Sequence, residues 1–117
     1  MSWLAIKKAI DGLSDDDLSR PNTVGSWSGR DLMVHIATWD EEITRLLRDL
    51  DAGKPERWPD TEGDKINTWN EAQVAPFKNV SIVEAKRYFE GTHFELMGVL
   101  EASPSVTSKL VGNYHRH

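Results

Sequence analysis

Apolar residues recur at spacings of three and four along most of the chain, and each such run is bounded by residues that start or stop helices. Trp3, Ile6, Ile10 and Leu13 lay one face on a helix over Ser2 to Leu13, with Lys7, Lys8 and Asp11 on its other faces. Ser14 offers an N-cap to a short turn, with Asp17 at the third position and Leu13 and Leu18 placed to form a hydrophobic clip. The stretch from Ser19 to Trp27 holds Pro21, Asn22 and Gly25 and reads as loop.

The longest run begins at Ser28, which is placed to cap a helix, with Asp31 at the positive end of its dipole and Trp27 set to staple onto Leu32. Leu32, Ile36, Trp39, Ile43, Leu46 and Leu50 alternate by four and three, so the spacing predicts a helix from Ser28 to Ala52, a rod of about 37 Å at 1.5 Å per residue. Gly53 stands where a left-handed cap ends such a helix, and Pro55 prevents its resumption. A polar connection with Pro55, Trp58 and Pro59 follows, and helical spacing returns at Ile66, Trp69, Gln73 and Phe77 with a break expected at Pro76. Ser81 and Glu84 form a second capping pattern, with Val80 facing Ala85. Ile82, Ala85, Phe89, Thr92, Leu96, Val99 and Leu100 then predict a last long helix ending near Ala102, before Pro104.

No segment alternates like a strand and no repeat is visible, so the fold class is all-α, an antiparallel helical bundle in one domain over 1–117. After Leu110 the sequence offers little for a fourth wall, so the fourth helix is expected to be short or missing. A three-walled bundle leaves apolar surface in water, and the expected remedy is a homodimer. Gly91 and Gly98, seven apart on one helix face, each cost about 1 kcal/mol relative to alanine, so close approach by a partner backbone or a ligand is expected there.

Composition then narrows the chemistry. A net charge of −5 with both signs interspersed leaves no electrostatic footprint for nucleic acid. The absence of cysteine excludes a disulfide framework and any thiolate metal site, so a metal must sit on His, Asp or Glu. No apolar run approaches the ~18 residues of a membrane span and no signal peptide opens the chain, so a cytoplasmic protein is expected. No nucleophile elbow, triad spacing or phosphate-binding glycine loop occurs, and no residue is assigned a catalytic role.

Four histidines remain. His35, three after Leu32 and four before Trp39, borders the buried face of the long helix. It reads either as a boundary residue bonded to a carbonyl or water, or as a metal ligand aimed into the bundle with Asp31 or Glu42 as its acceptor. His93, four after Phe89, reads as core-edge packing more readily than as a ligand. His115 and His117 form a His-X-His pair whose members point about 200° apart on a helix but share a side in extended backbone; a frayed end that binds nothing is the plain alternative. Trp3, Trp39 and Trp69 read as core residues, and Trp58 as the cover of a bundle end.

The block Gly25-Ser26-Trp27-Ser28-Gly29-Arg30-Asp31-Leu32-Met33-Val34-His35-Ile36-Ala37-Thr38-Trp39-Asp40 resembles the signature of the DinB/YfiT-like superfamily, and Asp64-Lys65-Ile66-Asn67-Thr68-Trp69-Asn70 resembles its ClbS/DfsB-like branch. The resemblance covers roughly residues 3 to 117. It implies a four-helix bundle, often dimeric, with a divalent metal, zinc or nickel, held at one end by a histidine of the second helix and a His-X-X-X-His pair of the fourth. His35 matches the first ligand position, and His115 and His117 stand nearest to the pair, although their spacing is His-X-His. The implied function is a metal-dependent reaction of a transferase or hydrolase type on a small electrophilic or thiol-linked substrate, in stress response or detoxification. The alternative is a non-catalytic helical module that binds a small molecule or scaffolds an assembly.

Overall fold

The structure is a computed structural model that describes residues 2–102 apart from positions 24 and 26. His115 and His117, and the segment expected to hold a shortened fourth helix, lie outside the described residues. Every regular element among the described residues is helical: α1 (Trp3–Asp11), α2 (Asp15–Ser19), α3 (Gly29–Asp51), α4 (Lys65–Val74) with a 3-10 turn at Ala75–Phe77, and α5 (Ile82–Ala102). None of them is long and apolar enough to cross a membrane.

The helix ends follow from local chemistry. Ser14 and Asp17 form a reciprocal capping box at α2, and Ser28 and Asp31 form one at α3, so orphan N–H groups are satisfied at both starts. Leu13 stays 43% exposed, so the clip expected around α2 is not closed; Leu18 is buried instead against the start of α3. A Cβ on Gly29 would stand 2.8 Å from Leu18 Cδ2 and 3.4 Å from Leu18 Cα, so a side chain there would have to displace the tip of Leu18. At the other end of α3, Gly53 has φ +77°, its N–H donates to Leu50 O at 3.1 Å, and Lys54 N–H donates to Asp49 O at 2.8 Å. These two bonds are the Schellman pattern that the left-handed glycine permits. Pro76 tightens the end of α4 into the 3-10 turn, and Ser81 Oγ accepts from Glu84 N–H at 3.1 Å to restart the chain as α5.

α3 is the central rod, and its most extensive contact is with α5. The two run in the same direction. Arg30 near the start of α3 donates to Val80 O just before α5, and Arg48 near the end of α3 pairs with Glu95 late in α5. The long connection through α4 allows this, since α4 returns antiparallel to α3: Asn70 meets Trp39, and Glu71 then meets Trp27. α1 is antiparallel to α5, with Trp3 stacked on His93, Lys7 paired with Glu90, and Ile10 in the core with Ile82 and Ala85. Within the expected all-α bundle, α1 and α4 thus run antiparallel to their neighbours while α3 and α5 run side by side in the same direction.

The core has two parts. One gathers Ile10, Leu18, Met33, Val34, Val74, Ile82, Ala85 and Phe89; the other gathers Leu46, Leu47 and Leu96, with Trp58 laid over that end. On α5 the expected stripe is the buried one from Ile82 to Leu96. On α3 it is not: Met33, Val34, Ala37, Thr38, Thr44 and Leu47 are buried with Leu46, whereas Leu32, Ile36, Trp39, Ile43 and Leu50 are half-buried. A helix touched by α2, α4 and α5 buries more than one stripe. Trp3, Trp39 and Trp69 are likewise half-buried at the margins of the core rather than inside it.

Phe89→Ala is expected to cost about 3–5 kcal/mol, because a large ring is removed from the meeting point of the core. Gly53→Ala is expected to cost only about 1 kcal/mol, the penalty for a Cβ at positive φ. Urea unfolding of the two variants checks the ranking.

Candidate functional site

The sequence singles out His35, and α3 carries it two turns from the Ser28 cap. The ring is half-buried and tilted against Trp27, with centroids 4.8 Å apart at 45°. Trp27 is held there from α4, since its Nε1 donates to Glu71 Oε1 at 2.9 Å. Trp27, expected to staple onto Leu32, is thus set against His35 one turn further along the helix. His35 Nδ1 is buried and has no hydrogen-bond partner among the described residues. Burial pushes its pKa below the ordinary 6.5, so the neutral imidazole, with one unprotonated nitrogen, is the resting form at pH 7.

Neither acceptor expected for His35 serves it. Glu42 is bound to Arg45, and Asp31 places Oδ2 on the Ser28 N–H at 3.2 Å. Asp31 Oδ1 is buried without a partner, as His35 Nδ1 is. The two residues are four apart and so lie on one face of α3. No group of three or more His, Asp or Glu side chains among the described residues is arranged to hold a metal. His35 is therefore placed without His115 and His117, which lie outside the described residues.

A second arrangement joins residues far apart in sequence. Between the two parts of the core runs a polar waist of Thr38, Asp40, Thr44, Thr92 and His93. The threonine hydroxyls donate back along their own helices, Thr38 to His35 O and Thr44 to Asp40 O at 2.8 Å, and Thr92 to Tyr88 O at 2.9 Å, so their burial leaves no orphan. Asp40 and His93 are different. Asp40 Oδ2 stands 3.6 Å from His93 Nδ1, just beyond a hydrogen bond, and both atoms are buried and otherwise unpartnered. Trp3 stacks on the His93 imidazole with centroids 3.9 Å apart at 6°, closing the pair from the α1 side. Burial pushes the Asp40 carboxyl above its usual 3.8, against the opposing pull of His93.

The reading of His93 as a core-edge residue holds, but its link to Asp40 has no signature in sequence, because it depends on the register of α3 against α5. The grooves beside this waist are shallow and charged. One is lined by Glu41, Thr44, Arg45, Arg48, Thr92 and Glu95, and the Glu41 carboxyl is pushed up by burial and then by Glu95. Both of its arginines are already paired with carboxylates.

A carboxyl whose pKa is raised on folding binds its proton more tightly in the folded state. Its stabilising contribution is therefore greatest below pH 3.8 and is lost as the pH rises through the folded value. Asp40→Asn is expected to match the parent chain near pH 3 and to exceed it in stability at pH 7. Urea midpoints across that range test this, and a variant less stable at pH 7 would show that the carboxylate stabilises the waist.

Comparison with known proteins follows the same residues. No curated protein and no solved structure matches the chain. A family match does occur over residues 2–81, which takes in α1 to the 3-10 turn, Trp27 and His35 included, and ends where α5 begins. That family has the DinB/YfiT-like four-helix architecture, so the superfamily expected from the Trp27–Asp40 block is the one found. With more than half of its length matched, the chain belongs to the mycothiol maleylpyruvate isomerase N-terminal domain family.

Proposed function

We propose that this chain is a metal-dependent DinB-like protein acting on a small electrophilic or thiol-linked substrate, with His35 as one metal ligand. The observation that carries the reading is the buried, unpartnered Nδ1 of His35 at the position where the superfamily resemblance calls for a ligand. A buried polar atom left without a partner costs roughly 1–3 kcal/mol, and ligation removes that cost. The family name points the same way, since it describes an isomerase that uses mycothiol, a thiol.

The residues fit a divalent ion in part. His35 supplies a neutral imidazole, the form in which histidine ligates, and Asp31 Oδ1 is a second unpartnered donor atom on the same face. His115 and His117 are the proposed further ligands, and zinc or nickel the proposed ion. A bound ion of this kind supplies Lewis acidity that activates a thiol or water. The chain's own contribution is positional. Glu71 holds the Trp27 indole against one face of the His35 ring, which fixes the imidazole and shields it from water.

Titration calorimetry with Zn²⁺ or Ni²⁺ on chelator-free protein tests the proposal. The parent chain is expected to bind about one equivalent. His35→Ala is expected to bind at least about tenfold more weakly, since even outer-shell changes at metal sites cost that much. Equal binding by both proteins, or none by either, would overturn the reading.

A further inference from the structure

Six buried side-chain atoms among the described residues have no hydrogen-bond partner, and three of them belong to residues gathered at the waist: Trp3 Nε1, Asp40 Oδ2 and His93 Nδ1. They come from three helices, α1, α3 and α5. α1 approaches its neighbours less closely along the backbone than the longer helices do, so side chains hold it in place. At its N-terminal end that hold is the Trp3 indole, stacked on His93 with centroids 3.9 Å apart and on Phe89 at 4.9 Å. The seat of α1 is therefore an imidazole with a buried carboxyl beside it. The His93 side chain keeps 26% of its surface exposed, so protons from solvent reach it.

We infer that Asp40 and His93 form a one-proton latch on α1: a proton taken up by the pair tightens the seat of Trp3, and its loss loosens it. The reason is net charge. Without a proton the pair carries a negative charge and with two protons a positive one; with a single proton it is neutral, whichever atom holds it. Burial opposes both charged states and so favours the neutral one. The 3.6 Å between Nδ1 and Oδ2 needs only a small shift to reach the roughly 2.8 Å of a charge-assisted hydrogen bond. With the proton on the ring, the imidazolium also lies flat against the indole face, which attracts a cation. The push of burial on the Asp40 carboxyl acts in the same direction. The docked pair therefore binds its proton more tightly than the two groups do apart. The resulting stabilisation is fully present below about pH 6.5, the ordinary imidazole value, and is lost as the pH rises through the higher value of the docked pair. The other charges around the pair are already satisfied. On the α1 flank Lys7 holds Asp11 at 2.7 Å and Glu90 at 3.1 Å, and this pairing keeps its ammonium charged through pH 8.5. In the groove of α3 and α5, Arg48 pairs with Glu95 and Arg45 with Glu42, beside Glu41.

Hydrogen-exchange protection factors for the amides of Ile6 to Ile10, compared at pH 6.5 and 8.5, read the hold on α1 with the intrinsic pH dependence of exchange removed. In the parent chain they are expected to fall at least about threefold at pH 8.5, in line with roughly half a pK unit of proton linkage. Asp40→Asn removes the buried charge, so its α1 is expected to stay protected at both pH values. His93→Gln leaves the carboxylate without a proton-sharing partner, so its α1 is expected to stay weakly protected at both. Glu41→Gln is expected to keep the parent's profile. Other groups that titrate in this range, a terminal amine included, are common to all four chains. The parent alone gives a second reading: the His93 ring nitrogens and the Asp40 carboxyl carbon are expected to shift together in one step between the two pH values. Equal protection of the parent's α1 at both pH values overturns the inference. So does a pH dependence that persists in Asp40→Asn or His93→Gln, or a shift of α1 in the same direction in both. Absence of the shared spectroscopic step overturns it as well. None of these residues belongs to the His35 site, so the latch and the metal reading stand or fall separately.

Discussion

Phe89 lies buried where α5 meets α3, in one cluster with Met33, Val34 and Val74, and the other elements are placed by what they add to that contact. α2 contributes Leu18 over the glycine that opens α3, and α1 contributes Ile10 and the Trp3 ring stacked on Phe89. The 3-10 turn brings Phe77 onto Tyr88 from the α4 side. Burying a phenylalanine together with branched aliphatic neighbours is worth roughly 1.5–3 kcal/mol per side chain, far more than the exposed ion pairs along the helices. Those pairs help to fix register; the ring and its neighbours decide that α3 and α5 lie together.

The parallel direction of α3 and α5 has consequences for chemistry. It places Asp40 beside His93 at the level where the apolar core stops and before the second cluster of leucines begins. Threonines can line such a waist at little cost because their hydroxyls bond back to their own helices. A carboxylate cannot, and burial there favours its protonated form. His35 sits on a different face of α3, toward Trp27, so α3 borders two half-buried imidazoles, its own His35 and His93 of α5. Both rings keep a buried Nδ1 without a hydrogen bond, but that of His93 faces the Asp40 carboxyl under the Trp3 indole, whereas that of His35 faces no acid.

Much of the bundle was legible in the chain. Caps at Ser14, Ser28, Ser81 and Gly53, and the stripe of α5, are local signals, and local chemistry governs helix ends and faces. The burial pattern of α3 was not legible, because a helix surrounded on several sides has no single apolar face for periodicity to report. Helix direction was hidden for a related reason: spacing says which face is buried but not which neighbour buries it. At the site, the block around Trp27 and His35 led to the family. The Asp40–His93 contact joins residues 53 apart and could only come from tertiary register.

The proposed metal site requires His35 to be a neutral imidazole whose unpartnered nitrogen can take a metal ion. Long-range ¹H–¹⁵N correlation spectra of the histidine rings, recorded at pH 7 with and without Zn²⁺, read that property directly. A neutral His35 ring is expected, with a nitrogen resonance that moves on adding the ion while His93 keeps its shifts. A His35 ring that is protonated at pH 7, or that ignores zinc in the folded protein, would contradict it.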